Sequence, residues 1–424
     1  MPTAPPPPLP RLDGEPWLAQ EGLRAVLAAL AAGGHEARIV GGAVRNALFA
    51  RPVADIDLAT PARPEEVIRL ARQAGLTAVP TGLEHGTVTV VASHTPYEVT
   101  TLRRDIETFG RHARVTFTTD WAEDAARRDF TINALYCTAD GRVDDPLGGW
   151  PDVVARRVRF IGAARDRIRE DYLRILRFFR FSAEYAAAEP DPDGLAASVS
   201  DLAGIDGLSG ERLRAEMTKL LAAPRAVPVL ATMASTGILE RVTGLPADVA
   251  VHARLAAIER SLARPPDAML ALAALYVRSA AGAQTLRERL KLSNAEAATL
   301  ALATVPFPAP GLAAGAPSDL IHLYRSGTEA FMQSAMLAWA RSDRPVDDPG
   351  WRARLEAAAR LTPPVLPVRG ADVVALGVAA GPEVGRALRD FEDWWIAAGF
   401  PDDAVLVAAR LRSIVAAIGG DHAS

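Results

Sequence analysis

Two carboxylates one residue apart mark where this chain could do chemistry. In the stretch RPVADIDLAT, residues 51–60, Asp55 and Asp57 alternate with Ile56 and Leu58. In an extended strand that alternation sends both carboxylates to one face and both apolar side chains to the other. Like charges held so close repel unless a cation lies between them, so the pair predicts a metal site. Just upstream, a short apolar run ends in Gly41-Gly42. Glycines there let backbone N–H groups approach a phosphate with no Cβ in the way. A helix starting at such a turn favours an anion, and Arg45 falls in its first turn. Taken singly, these are a tight turn and a pair of surface aspartates. At this spacing they read together as a phosphate cradle, an arginine and a two-carboxylate clamp.

A second cluster lies in EDAARRDFTINAL, residues 123–135. Arg127, Arg128 and Asp129 precede what reads as an apolar helix start, with Asn133 four residues beyond Asp129 on the same face. These groups suit ribose hydroxyls and a triphosphate; alone, they equally suit a helix capped by Asp129. The third cluster is EDYLRILRFFRF, residues 170–181, where Asp171, Arg174, Arg177 and Arg180 recur every three residues. That spacing predicts a ridge along one helix face, with Leu173, Ile175, Leu176, Phe178 and Phe179 turned inward. A solvated arginine face would look similar. Local charge separates the two readings. Residues 151–180 carry nine arginines against four acids, an excess of about +5, although the whole chain has a net charge of −4. Such a basic track suits a nucleic-acid backbone in spite of the acidic average.

The elements that must position these groups change character near residue 150. Before it, helical stretches (EPWLAQEGLRAVLAALAAGG, AVRNALFA and the run opening at TPARPEEV) alternate with strand-like ones (ARIVGG, ADIDLAT, HGTVTVVA, PYEVTTLR). This predicts an α+β domain with a small mixed sheet. Beyond it strand signals nearly vanish, and Ala/Leu/Arg-rich helices punctuated by Pro and Gly predict an all-α remainder.

Bulk properties exclude several classes. With 424 residues, 49% of them hydrophobic and 23% charged, the composition is that of an ordinary globular protein of two or three domains. Cys137 is the sole cysteine, so an intramolecular disulfide and a cysteine zinc site are excluded, and a reducing cytoplasm is expected. The start MPTAPPPPLPRLDGEPW lacks the apolar core of a signal peptide and reads as a Pro-rich extended arm. No apolar run is long enough to span a membrane. The seven histidines show no metal-ligand spacing, and no His-Asp pair marks a phosphohydrolase.

In order, GGAVRN…DIDLAT, YEVTTLR, RRDFTINAL, DDPLGGWPDV, EDYLRILRFFRF and GERLRAEMTKLL resemble the motifs of the class II tRNA nucleotidyltransferase and bacterial poly(A) polymerase superfamily. The resemblance spans about residues 35–222, and GADVVALGVAAGPEVGRALRDFEDWWIAAGF is similar to the C-terminal segment of bacterial CCA-adding enzymes. It implies a head with a polymerase-β-like palm, then a helical neck, body and tail that grip tRNA at its acceptor stem and elbow. The expected division is a disordered arm 1–15, a catalytic head 16–148, a nucleotide-selecting neck 149–225, and a tRNA-binding body and tail 226–424. The implied reaction is template-independent addition of CCA to the tRNA 3′ end from CTP and ATP, with no membrane and no obligate protein partner.

On that reading Asp55 and Asp57 hold two Mg²⁺ ions, which activate the RNA 3′-OH and neutralise the phosphates as pyrophosphate leaves. Glu98 is a candidate third carboxylate, or an ordinary exposed strand residue. Gly41, Gly42, Arg45, Arg128, Asp129 and Asn133 would hold triphosphate and ribose, with Arg177 and Arg180 continuing the neck ridge. Asp171 and Arg174 would read the base. A carboxylate accepts from the exocyclic amine of C or A and a guanidinium donates to the adjacent ring nitrogen, whereas U and G present the opposite pattern. Two departures from the family pattern stand out: Asn46 replaces the usual Asp after Arg45, and Phe109 replaces an Asp common in the flexible loop, here residues 105–117. Competing expectations are a poly(A) polymerase, for which the ending GGDHAS is not basic enough, an A-adding-only enzyme, and a non-catalytic RNA-binding relative. A small-molecule nucleotidyltransferase would share the palm without the long helical region.

Overall fold

The computed structural model describes residues 7–109, 112–307 and 317–420. The chain divides into two compact units, Met1–Val249 with Gln284–Leu292, and Ala250–Ala283 with Ser293–Ser424. The expected boundaries at 148/149 and 225/226 do not fall on this division, because the sheet, the neck helices and the helices just after them share one unit.

The first unit begins with helix α1 (Glu21–Ala32), strand β1 (Arg38–Val40), helix α2 (Gly42–Leu48), strand β2 (Asp57–Thr60) and helix α3 (Pro64–Gln73). Strands β3 (Thr77–Gly82), β4 (Thr87–Ala92) and β5 (Thr95–Thr101) follow, then β6 (Arg103–Phe109) and β7 (His112–Phe117). After helix α4 (Trp121–Ala126) come two short strands, β8 (Tyr136–Cys137) and β9 (Val143–Asp144). Seven strands form one sheet in the order β3-β4-β5-β2-β1-β8-β9, in which only β2 and β5 run parallel. The predicted small mixed sheet is thus present. Its alternation is what a half-covered sheet requires: on β4 Val88, Val90 and Ala92 are buried while the residues between them are not.

The helical part of this unit contains α5 (Trp150–Val154), α6 (Ala164–Glu170), α7 (Leu173–Tyr185), α8 (Pro192–Ser200) and α9 (Gly210–Leu221). Helix α7 buries Ile175, Leu176, Phe178 and Phe179 as its spacing predicts, each contributing roughly 1.5–3 kcal/mol of apolar burial. Phe178 meets Phe130 and Phe160, and Phe181 meets Phe130, with ring centroids 5.1–6.4 Å apart. That aromatic cluster fastens the segment after Arg127-Arg128-Asp129 to the neck.

The second unit is helical, with no strand among its described residues. Its largest helices include Pro317–Arg341, interrupted at Gly327 (φ 80°), and Pro382–Ala397. Phe391, Trp395, Leu411 and Ile414 are among the residues that build its C-terminal core.

Three expectations are corrected. The arm is not disordered through residue 15: Pro7 O accepts from Trp150 Nε1 at 2.7 Å, Leu12 is buried, and Arg11 bridges Arg142. Residues 1–6 lie outside the described residues. The first helix does not run unbroken from residue 15, because a 3₁₀ turn, Pro16–Ala19, precedes α1 and Gln20 between them is extended at ψ 127°. The presumed loop 105–117 is mostly an antiparallel hairpin, with β6 and β7 paired from Arg103↔Phe117 to Phe109↔His112. The side chain of Phe109 lies outside the described residues.

Candidate active site

Sheet register brings the first cluster together. Val40, the last residue before Gly41-Gly42, pairs with Asp57 across the antiparallel β1–β2 ladder. On its other side Asp57 is in parallel register with Glu98 of β5. Gly41 has φ 71°, a conformation that favours glycine, and a Cβ there would lie 3.8 Å from Arg128 Nη1. The turn therefore faces an arginine. Since α2 has only seven residues, the anion preference rests more on the turn's N–H groups and on these guanidiniums than on a helix dipole.

Asp55 lies just before the strand; the ladder begins at Asp57. The face alternation nevertheless holds, with Asp55 exposed, Ile56 buried, Asp57 half-buried and Leu58 buried. Burial pushes the Asp57 carboxyl above its ordinary range, and the charges of Glu98 and Asp55 push the same way, with Arg128 opposing. That is a cluster of acids short of positive charge. Among the described residues no group of three or more His, Cys, Asp or Glu is arranged to hold a metal ion. Glu98 thus acts on Asp57 through its charge, and the structure does not close it into a three-carboxylate cage.

Beside this edge lies a cavity of about 410 Å³. Gly41, Gly42 and Arg45 line one part of it, and Arg127, Arg128, Asp129 and Asn133 line another. Asp171, Arg174, Arg177 and Phe181 contribute from the neck, and Arg212 from α9. Nine of the ten residues expected to bind nucleotide therefore share one space. The exception is Arg180, which is buried against Glu216 at 2.5 Å and Glu184 at 3.4 Å and is a packing ion pair.

The second cluster is built differently from the expected helix face. Arg127 and Arg128 follow the end of α4, and Thr131–Asn133 form a single 3₁₀ turn. Asn133 Nδ2 still donates to Asp129 Oδ1 at 2.9 Å, and Asn133 Oδ1 accepts from Arg45 at 2.7 Å. Asp129 also accepts from Phe130 N and twice from Arg177, at 2.8 and 2.6 Å. Burial raises its pKa, but Arg177 and Asn133 outweigh it and hold the carboxyl below the ordinary value. Its four acceptor sites are filled, so Asp129 is a strut between neck and palm and not an open ribose acceptor.

Arg128 is held by a residue the sequence reading passed over. Asp124, almost fully buried, accepts from Arg127 at 2.8 Å, Arg128 at 3.1 Å and Tyr136 OH at 2.8 Å. Burial pushes this carboxyl up, yet the two guanidiniums overcome it and leave it at about 2. The acid stands three and four positions before the arginines, a helical spacing that could have disclosed the pairing.

The ridge of the third cluster is interrupted. Helix α6 ends at Glu170, Asp171 is extended at φ −154°, and α7 starts at Leu173. Asp171 Oδ1 accepts from Leu173 N at 3.1 Å and its Oδ2 from Arg212 at 2.6 Å. Arg174 pairs with Glu170 and donates to Arg167 O at 2.9 Å. Nor is the basic track open. Arg157 and Arg159 are on Asp152, Arg165 and Arg169 on Asp201, Arg167 on Glu170, and Arg177 on Asp129. Asp129, Asp201 and Glu216 lie outside the 151–180 window, so a local count could not see them.

Asn46 also has a defined place. Its Oδ1 accepts from Tyr185 OH at 2.9 Å and Arg45 Nη2 at 3.2 Å, and its Nδ2 donates to Pro52 O at 3.1 Å. An aspartate could not make the last bond.

Comparison with known proteins agrees with this geometry. Residues 37–159 match the poly A polymerase head domain, and residues 191–245 match the family described as a probable RNA and SrmB-binding site of polymerase A. The mitochondrial CCA tRNA nucleotidyltransferase 1 of Danio rerio is 38% identical over 368 residues, covering 85% of this chain and 83% of that protein. The chain belongs to the CCA-adding tRNA nucleotidyltransferase family. A second family member, the CCA-adding enzyme of Geobacillus kaustophilus, is 42% identical over 218 residues, 51% of this chain and 53% of its own. The crystal structure of the Bacillus stearothermophilus CCA-adding enzyme in complex with CTP matches with a TM-score of 0.70 at 28% identity, covering 95% of this chain and 98% of that one. The α+β head and helical remainder are therefore the CCA-adding fold. No helix among the described residues of this family member is long and apolar enough to cross a membrane.

Proposed function

We propose that this chain adds CCA to the 3′ end of tRNA from CTP and ATP, releasing pyrophosphate. The observation that carries the reading is the shared cavity, in which a phosphate-facing turn with Arg45 and Arg128 opens onto Asp171 and Arg174 beside the Asp55–Asp57 edge. The Bacillus stearothermophilus CCA-adding enzyme, solved in complex with CTP, and the Danio rerio CCA tRNA nucleotidyltransferase 1 support it.

In this proposal the Gly41-Gly42 turn, Arg45 and Arg128 hold the triphosphate. Asn133 and Asp129 keep Arg45 and Arg177 in place, and Phe181 supplies an apolar wall. Asp171 accepts from the exocyclic amine of C or A while Arg174 donates to the unprotonated ring nitrogen. A wrong base leaves buried polar groups unpaired, and sites of this kind discriminate by about 10⁴. The surplus of carboxylate charge around Asp57, all from oxygen donors, fits a hard divalent cation. Asp55 and Asp57 would hold two Mg²⁺ ions, which when bound neutralise phosphate charge and ease deprotonation of the attacking hydroxyl. Glu98 tunes Asp57 from the neighbouring strand.

The proposal also keeps the head (16–148), neck (149–225) and body with tail (226–424), with the helical unit contacting tRNA. A cytoplasmic location is part of it, resting on the lone cysteine, although the Danio rerio relative is named as mitochondrial. Incubating the protein with tRNA lacking its 3′ CCA, plus CTP and ATP separately and together, tests the activity. CTP alone should extend the RNA by two nucleotides and both together by three. A long adenylate tail would instead show a poly(A) polymerase, a single A only on CC-ended RNA an A-adding enzyme, and no extension an RNA-binding relative.

A further inference from the structure

Asp171 and Arg174 stand three residues apart with opposite charges, a spacing at which such side chains commonly pair with each other. Paired, they would bury their hydrogen-bonding edges in one another and present nothing to a base. Among the described residues their ion pairs run elsewhere: Asp171 to Arg212 on α9 at 2.6 Å, Arg174 to Glu170 on α6. Asp171, Arg174 and Arg212 all line the same cavity.

We propose that Arg212 is a positioning residue for nucleotide selection, holding Asp171 away from Arg174 so that both keep open edges toward the base. This deepens the reading of Asp171 and Arg174 as base readers and rests on it. A carboxylate has about four acceptor sites, and Leu173 N and Arg212 occupy two of them. Among the described residues Arg174 uses its Nη1 toward Glu170 and Arg167 O, which leaves its Nε and Nη2 for a ring nitrogen. The outer partners Arg212 and Glu170 thus do for this pair what a base would otherwise have to do by prising it apart. Removing Arg212 leaves Asp171 facing Arg174, three residues on, and Arg177, whose charge it already meets, and the carboxylate closes on these cavity arginines. Rejection of U and G then weakens, because neither group is left unpaired when the wrong base enters.

The test is single-nucleotide incorporation into tRNA lacking its 3′ end, comparing kcat/KM for CTP with that for UTP in wild type, Arg212→Met, Arg212→Lys and Asp171→Ala. Arg212→Met should reduce the CTP-over-UTP preference by about tenfold or more, and Arg212→Lys should restore most of it, since a cation there is what matters. Loss of packing alone would lower both rates together and leave the ratio unchanged. If Arg212→Met is too unstable to assay, Arg212→Gln replaces it with the same expectation. Unchanged discrimination in the Arg212 variants, with discrimination lost in Asp171→Ala, overturns the positioning role and leaves the base-reading proposal standing. Unchanged discrimination in Asp171→Ala overturns both.

Discussion

Asp57→Asn is expected to lower nucleotide incorporation by about 10³-fold or more while making the metal-free protein more resistant to heat. The first effect follows if this carboxylate holds the cation that neutralises the transferring phosphates, since electrostatic stabilisation of that kind is usually the largest single contribution to such reactions. The second follows from the direction of its pKa. Burial, then Glu98 and Asp55, raise Asp57 above its unfolded value. A group raised in this way adds stability below the unfolded pKa and loses it as pH rises through the folded one. At neutral pH the ionised carboxylate therefore opposes folding, and the amide removes that opposition. Thermal melts in EDTA and in Mg²⁺ check both halves. Wild type should gain stability from Mg²⁺ and Asp57→Asn should gain much less. A variant less stable than wild type in EDTA would contradict the charge argument.

Asp124→Asn should cost about 3–5 kcal/mol of stability, the usual result of removing one partner from a buried ion pair. Arg127, Arg128 and Tyr136 all donate to this one carboxylate. An amide offers a single acceptor oxygen and turns an NH₂ group toward donors. Because Asp124 is held at about 2, its contribution is present above the unfolded pKa and lost as pH falls through about 2. Urea melts between pH 2 and 7 should therefore show wild type and variant converging at the acid end and far apart at neutrality. The KM for the incoming triphosphate should also rise, since Arg128 loses the group that aims it. Equal stability of the two proteins at pH 7 would exclude the role given to Asp124.

Much of this site could be read from residue order. Glycine turn, arginine and alternating aspartates are local patterns, and local patterns survive folding: β2 puts Asp57 beside Val40 because pairing follows chain direction. Helix α7 was legible because its apolar spacing is long and regular. What escaped was longer in range or smaller in scale. The break at Asp171 spans one extended residue and a Tyr, and a run of three-residue spacings hides it. Gly204 shows why the break is fixed there, since a Cβ at that position would overlap the Tyr172 ring at 1.9 Å. Partners such as Arg212 and Glu216 stand dozens of residues from Asp171 and Arg180, where spacing says nothing. Glu98 was found through its motif, while its action on Asp57 needed the parallel register of β2 and β5.

The pairing of the neck arginines has a consequence for binding thermodynamics. Among the described residues, eight of the nine arginines between 151 and 180, all except Arg156, are already on carboxylates. An arginine whose charge is already met by an acid displaces less sodium from an RNA backbone than an unpaired one. The release of condensed ions, which makes most RNA affinities fall steeply with salt, therefore draws little on this segment. These ion pairs stiffen the neck, so its charge count overstates the positive charge that is free to meet an RNA backbone.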